Sequence, residues 1–430
     1  MLFTAHTAAR SAALPRCYRL ALALLTSVAP GPALGASPAD DGASPGVADE
    51  LTPEERAAIE RALGADSEAR GDAEVTPPTA QPVGFAAVLQ NLNPNMSLIL
   101  DAAVSYFSSA PLQVGAHDPN HTGFTFQQLE MHLDSNVDPF FRLDANLVFS
   151  PFGVEVEEAY ATTLDLPAGL QLRAGQFLTR FGRVNNTHPH AWHFIDQPLV
   201  NGKFLGGEGS RGLGLEVSWL TPLPWYVELV ASATDPAGAA TARSFYGAED
   251  LGISGLEDVL YTLAVKQFFS LDDDWSLLWG LSAQLGPNPT GNGNRSSLFG
   301  SDLHLRYRPL EHAGRTSVEL TVEGMFRSRQ VPDDALQDWG MYAQLVWQID
   351  SEWEVGLRHD FVSGVADDYL DPDEDSARNR TAVEAAFYPS HFSRVRLQGA
   401  YDRPAWRDEP IWAVSLGLEV LIGAHGAHSY

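Results

Sequence analysis

Cysteine occurs once in 430 residues, as Cys17. Its near-absence removes a disulfide framework, a zinc–thiolate site and a cysteine nucleophile together. Long apolar runs are missing as well. The longest, at 20–29, is about ten residues against the roughly 18 that a spanning helix needs, which excludes an α-helical membrane protein. Positive charge is scarce: Lys+Arg number 27 against 55 Asp+Glu, a net charge of −28. The clustered cations that neutralise nucleic-acid phosphates are therefore not available. Charged residues of both signs reach only 19%, beside 44% hydrophobic, which is low for a soluble chain of this size. No His-Glu-x-x-His segment occurs, and the Gly-x-Ser-x-Gly match at 42–46 falls in the Ser-, Pro- and Gly-rich leader, so no enzyme is expected. The length suits two or three soluble domains or one large closed sheet.

The first residues read as an export signal, 1–35. Arg10, Arg16 and Arg19 form its positive region, 20–28 its apolar stretch, and small residues follow through Gly35 and Ala36. Cleavage after either fits. Cys17 precedes the apolar stretch, the wrong place for a lipoprotein cysteine. Residues 36–83 read as a periplasmic leader, disordered over 37–49, where Ser, Pro, Gly and Asp dominate. Thr52-Pro53-Glu54-Glu55 is an N-cap, an N1 proline and an acidic first turn. With Ala57, Ala58, Ile59 and Leu63 it predicts one short helix ended by Gly64. Alone such a helix is marginal, so it reads as part of a tether, or else as an oligomerisation or wall-contact element. Pro77, Pro78 and Pro82 make the next stretch an extended linker.

From Met96 onward the pattern becomes strict alternation. Trp412, Val414, Leu416, Leu418 and Val420 point one way, Ala413, Ser415, Gly417 and Glu419 the other. Trp353, Val355, Leu357 and Phe361 oppose Glu354, Gly356, Arg358 and Asp360. Val318, Leu320 and Val322 oppose Glu319, Thr321 and Glu323, and Phe141, Leu143, Ala145 and Leu147 oppose Arg142, Asp144 and Asn146. A period of two assigns each set to one face of a strand. Strands of about ten residues with one charged face and one apolar face, aromatic near its ends, indicate a transmembrane antiparallel β-barrel. A soluble sandwich or propeller would not carry apolar aromatic faces on nearly every strand.

About sixteen such segments can be counted between 84 and 430. Tight connections fall at Asp138-Pro139, Leu166-Pro167-Ala168, Pro222-Leu223-Pro224, Leu271-Asp272-Asp273, Ile349-Asp350-Ser351 and Pro389-Ser390-His391. Longer polar loops are expected at 179–210, 235–257, 287–297, 329–338 and 363–378. Short turns on the periplasmic side and long loops outside are the habit of such barrels, and an even strand count puts both chain ends in the periplasm.

Gly175-Gln176-Phe177, Phe181-Gly182-Arg183, His188-Pro189-His190, Trp192, Asp196-Gln197-Pro198 and Phe204-Leu205-Gly206-Gly207-Glu208-Gly209 resemble proteobacterial porin-like outer-membrane proteins. Some members carry the labels zinc-regulated outer-membrane protein or TonB-dependent receptor. The tail Ile422-Gly423-Ala424-His425-Gly426-Ala427-His428 is similar too. The specific resemblance covers about 170–230 and the tail. It implies a barrel in the outer membrane of a Gram-negative bacterium. A receptor role does not follow, because receptors of that kind have a plug domain and about 22 strands.

These readings converge on a porin-like channel for passive diffusion of small polar or ionic solutes, leaning toward cations. Loop 179–210, the third on the outside, is expected to fold inward as the constriction. Its His188, His190 and His193 with Asp196 are the candidate ligands for Zn²⁺ or Cu²⁺; the same histidines also fit plain structural hydrogen bonding. The tail pair His425 and His428 is a weaker set of the same kind. No cofactor is otherwise expected. Alternation assigns to the lumen Glu130, Asp144, Arg142, Arg173, Glu216, Glu319, Glu323, Arg306, Arg358, Glu384, Arg396 and Glu419. Most should pair across strands, and the acidic surplus should favour cations through the summed potential. A metal-binding or uptake barrel and a structural or adhesive barrel with a blocked lumen are the alternatives. The expected partners are the lipid bilayer, lipopolysaccharide, the barrel-assembly machinery and further copies of the chain, with no nucleic acid.

Overall fold

The computed structural model describes residues 94–423, apart from 152, 237–242, 247–251, 313–314, 367 and 369–374. The export signal, the leader with its short helix, and the tail histidines lie outside the described residues.

Sixteen strands follow one another. The first eight are β1 (Asn95–Phe107), β2 (Gly123–Asn136), β3 (Phe141–Ser150), β4 (Gly153–Thr163), β5 (Leu170–Leu178), β6 (Arg211–Leu220), β7 (Tyr226–Thr234) and β8 (Leu260–Ser270). The rest are β9 (Trp275–Pro287), β10 (Arg295–Tyr307), β11 (Ser317–Val331), β12 (Asp334–Gln348), β13 (Trp353–Val362), β14 (Arg378–Ser390), β15 (Ser393–Pro404) and β16 (Ile411–Gly423). Each pairs antiparallel with its chain neighbours, and β1 pairs β16, so the sheet closes on itself without an edge.

The two faces separate as alternation requires. On β13, Leu357 is 48% exposed, whereas Glu354 is 2% exposed and Arg358 1%. On β16, Trp412, Val414, Leu416, Leu418 and Val420 all stand on the exposed face. Cross-strand aromatic pairs mark both rims of this apolar belt. Trp275–Tyr307 and Trp353–Phe387 sit at the end with the short turns, and Trp339–Phe361 and Tyr401–Trp412 at the other, with ring centroids 4.6–4.8 Å apart. Such a belt is the surface that a bilayer covers.

Three of the short turns share one device. Asp138 Oδ1 accepts the N–H groups of Phe140 and Phe141, Asp272 Oδ1 those of Asp274 and Trp275, and Asp350 Oδ1 those of Glu352 and Trp353, all at 2.8 Å. A short carboxylate closes the turn on the backbone and delivers an aromatic residue to the rim.

One expected loop is absent. Residues 329–338 are not a loop: β11 and β12 stay paired as far as Val331 opposite Asp334, leaving only Pro332 and Asp333 between them, with Asp333 at φ 66°. The polar run misleads because Arg327 and Arg329 are inward residues of a strand. Arg327 is held by Asp338 at 2.9 and 2.6 Å and Arg329 by Asp368 at 2.6 Å.

Candidate functional site: the inward loop between β5 and β6

The connection 179–210 lies inside the barrel, and its base is cinched first. Thr179 N–H donates to the Ser210 carbonyl at 2.9 Å. The Asn185 amide donates to the carbonyls of Thr179 and Ser210 at 2.8 and 3.0 Å and accepts the Ser210 N–H at 2.7 Å. At Gly182, φ is +64°, a conformation that favours glycine. The Glu323 carboxylate of β11 accepts the N–H groups of Arg183 and Val184 at 3.1 and 3.3 Å.

Beyond this anchor the loop crosses to the opposite wall. A short helix, α1 (Leu199–Phe204), is wholly buried. Leu199, Val200, Phe204 and Leu205 pack with Phe181, Phe245, Leu260, Leu298, Met325, Tyr342 and Val362 as an apolar filling on one side of the lumen. The Leu199 N–H donates to Asp360 at 3.0 Å, and the Lys203 ammonium donates to the Ser363 carbonyl at 2.7 Å.

The four candidate ligands diverge. His188 turns to β2 and β4: Nδ1 lies 3.1 Å from Glu157 and 3.6 Å from Glu130, and Nε2 lies 2.9 Å from Glu158 and 2.8 Å from the Asn146 amide. His190 Nδ1 meets Glu130 at 2.9 Å, and the two imidazoles stack with centroids 5.8 Å apart. His193 instead faces β13, with Nδ1 2.9 Å from Glu354 and Nε2 3.8 Å from Glu319. Asp196 is clasped by Arg358 at 2.7 Å, Arg380 at 3.0 Å and the Gln398 amide at 2.9 Å. Two guanidiniums occupy its lone pairs, so it is not free to join the histidines.

Electrostatics follow this geometry. Burial alone would lower His188, but the Glu130 and Glu157 carboxylates raise it well above its ordinary value. His193 shows the same balance, raised by Glu354 and Glu319. Burial pushes Asp196 upward, and Arg380 and Arg358 overcome it, holding the carboxyl at about 2. His117, in the β1–β2 loop, is raised to about 9 against its burial by Glu208 and Glu157.

The twelve lumen residues fall into two groups. Glu130, Glu323, Arg358 and Arg396 hold the loop, Arg396 by donating to the Trp192 and Phe194 carbonyls at 3.2 and 3.3 Å. The others largely pair along the wall: Arg142 with Asp144 at 2.7 Å, Arg173 with Glu216 at 3.0 Å, Arg306 with Glu319 at 3.0 Å, and Glu419 with Arg394. Glu384 is buried behind His193 and Glu354.

Alternation missed Glu157, Glu158, Glu208, His117 and Arg380. For the first two the cause is a β-bulge. Asn146 pairs Glu158 and Leu147 pairs Val156, so Glu157 is the extra residue, and two consecutive glutamates turn inward. Only the run Glu155-Val156-Glu157-Glu158, with acid on both phases of the period, hinted at it.

Two cavities with mixed polar and apolar linings lie among the described residues. One of about 440 Å³ opens at the short-turn end, lined by Arg183, Lys266, Arg306, Glu228, Asp302 and Glu319 among others. The other, about 750 Å³, lies at the long-loop end beside His117, Gln127, Glu155 and Glu208. A narrow pocket of about 20 Å³, the neck, is lined by His117, Glu157, Thr187, Trp192 and Glu208 among others, and shares Thr187 with the first cavity and His117 and Glu208 with the second.

An uncharacterized protein of Aquifex aeolicus (strain VF5) is 31% identical over 336 residues, 72% of this chain and 70% of that protein. The chain belongs to the same family as the Aquifex protein. No family model matches. Solved structures with the same fold include the outer membrane channel DcaP of Acinetobacter baumannii (TM-score 0.52, 11% identity, 76% of this chain and 97% of that one). The anion-selective porin from Comamonas acidovorans gives 0.51 at 11% identity over 76% and 99%. OprB of Pseudomonas putida gives 0.51 at 10% identity over 79% and 97%. At such identities the likeness is one of fold. None of the three is described as a zinc-regulated protein or a TonB-dependent receptor.

Proposed function

We propose that this family member is an outer-membrane channel for passive diffusion of small polar or ionic solutes, narrowed by its β5–β6 loop. The observation that carries the reading is a cavity at each end of a sixteen-stranded barrel, with the neck sharing lining residues with both. Thr187 lines both the neck and the short-turn cavity, and His117 and Glu208 line both the neck and the long-loop cavity. A barrel of sixteen strands is wide enough for an aqueous path. The short turns face the periplasm and the long loops the exterior. Preference for cations is the finer part of the proposal. Its support is the net charge of −28 acting as a summed potential, since the short-turn cavity itself carries both signs. Self-association, lipopolysaccharide and the assembly machinery belong to the same reading.

The test is planar-bilayer recording of the refolded chain under a salt gradient. Discrete conductance steps with a reversal potential on the cation side are expected. A folded, heat-modifiable barrel that never conducts would favour a structural barrel, which the apolar filling around α1 would then explain.

A further inference from the structure

The neck is flanked by a cluster that the channel reading does not use. Glu130 of β2 and Glu157 and Glu158 of β4 converge on His188, all buried inside the barrel. Among the described residues, no lysine or arginine pairs with the Glu130 or Glu157 carboxylate; their ion-pair partners are His188 and His190 alone. Three carboxylates in a buried setting around two imidazoles leave negative charge uncompensated, which is costly away from water.

We propose that Glu130, Glu157 and His188 bind one divalent transition-metal ion of the zinc type. One ligand atom from each lies within 4.8 Å of the others. His188 Nδ1 already stands 3.1 and 3.6 Å from the two carboxylates. Ligands about 2.0–2.2 Å from a tetrahedral ion lie roughly 3.3–3.6 Å from one another, so little movement closes the site. The surrounding residues fit as well. Nε2 of His188 faces Glu158 at 2.9 Å, and a proton held there leaves the Nδ1 lone pair directed at the ion, the carboxylate–histidine–metal arrangement. His190 orients Glu130 from the far side at 2.9 Å. The bulge at Glu157 is what brings the second carboxylate into reach.

A second group, His117, Glu157 and Glu208, shares Glu157 and lies toward the long-loop cavity. It gives an ion arriving from that cavity a first set of ligands. An imidazole donor selects Zn²⁺-type ions over Mg²⁺ and Ca²⁺, which prefer all-oxygen shells. This inference does not rest on the barrel conducting.

The test is equilibrium titration of the full chain in detergent with ZnCl₂, with MgCl₂ as comparison. The expected result is one Zn²⁺ per chain in the micromolar range or tighter, and no Mg²⁺ binding at the same concentrations. Glu157→Gln and His188→Asn should each weaken Zn²⁺ at least tenfold, while His193→Asn, on the opposite wall, should not. Because a variant can fail to fold, X-ray absorption of the wild type with one equivalent of Zn²⁺ supplies a second measurement. One imidazole among oxygen neighbours at about 2.0–2.1 Å is expected. Absence of Zn²⁺ binding, binding that survives Glu157→Gln with His188→Asn, or a shell without imidazole would each overturn the proposal.

Discussion

Glu323 Oε1 sits 1.9 Å from the point where a Cβ on Gly182 would be. The carboxylate and the missing side chain occupy one space, 141 residues apart in sequence, and this fixes where the inward loop leaves the wall. Neither residue is chemically unusual. Their juxtaposition turns a polar wall residue into the anchor of a loop that crosses the lumen.

Gly182→Ala should therefore release the loop rather than the barrel. The positive φ costs a side chain about 1–3 kcal/mol, and the added methyl displaces Glu323. The expected outcome is faster proteolytic cleavage within 179–210 and raised single-channel conductance, with heat-modifiable gel mobility retained. A protected loop at unchanged conductance would show that the anchor is dispensable.

Leu357→Arg places a charge on the lipid side of β13 and should destabilise the barrel by about 2–4 kcal/mol in denaturant unfolding from vesicles. Leu357→Ala should cost much less. Glu354, three residues earlier, is no neutral control for the inner face, because it holds His193. Equal losses in the two Leu357 variants would mean that this position does not meet lipid.

The loop should respond to pH from both ends. The folded pKa of His193 is raised above 6.5, so its contribution is complete below about that value and is lost as pH rises through the raised pKa. Glu319, Glu354 and Glu384 face it, and deprotonation removes one positive partner from this group, with Arg306 still paired to Glu319. Asp196 is the opposite case: its pKa is lowered from 3.8 to about 2, so its contribution is present above 3.8 and is lost as pH falls toward 2. Hydrogen exchange of the loop amides should be slowest between these limits. His193→Gln should remove the alkaline limb and Asp196→Asn the acid one; limbs unchanged in both variants would assign the dependence elsewhere.

An epitope inserted within 363–378 should be reached by antibody on intact cells, and one in the 349–351 turn should not. The structure leaves 363–377 between β13 and β14, and 349–352 as the tight turn between β12 and β13. Reversed accessibility would invert the orientation and exchange the two cavities.

The wall of this protein was legible in its sequence. In a one-layer barrel each residue meets either lipid or the interior, so polarity reports the face directly and a period of two recovers β13 and β16 residue by residue. Turn carboxylates such as Asp138, Asp272 and Asp350 act on backbone two and three residues away, so they too are local signals. The interior obeyed other rules. His193 finds Glu354 across 161 residues, and Asp196 finds Arg358 across 162. Such pairings depend on how a loop crosses a closed sheet, and no spacing along the chain encodes them. At Glu157 the bulge breaks the period that made the strands readable, and at 327–338 inward charge imitates a loop. Strand faces are set by solvent partition one residue at a time. The gathering of Glu130, Glu157 and His188 at the neck required the barrel to close and the loop to fold into it.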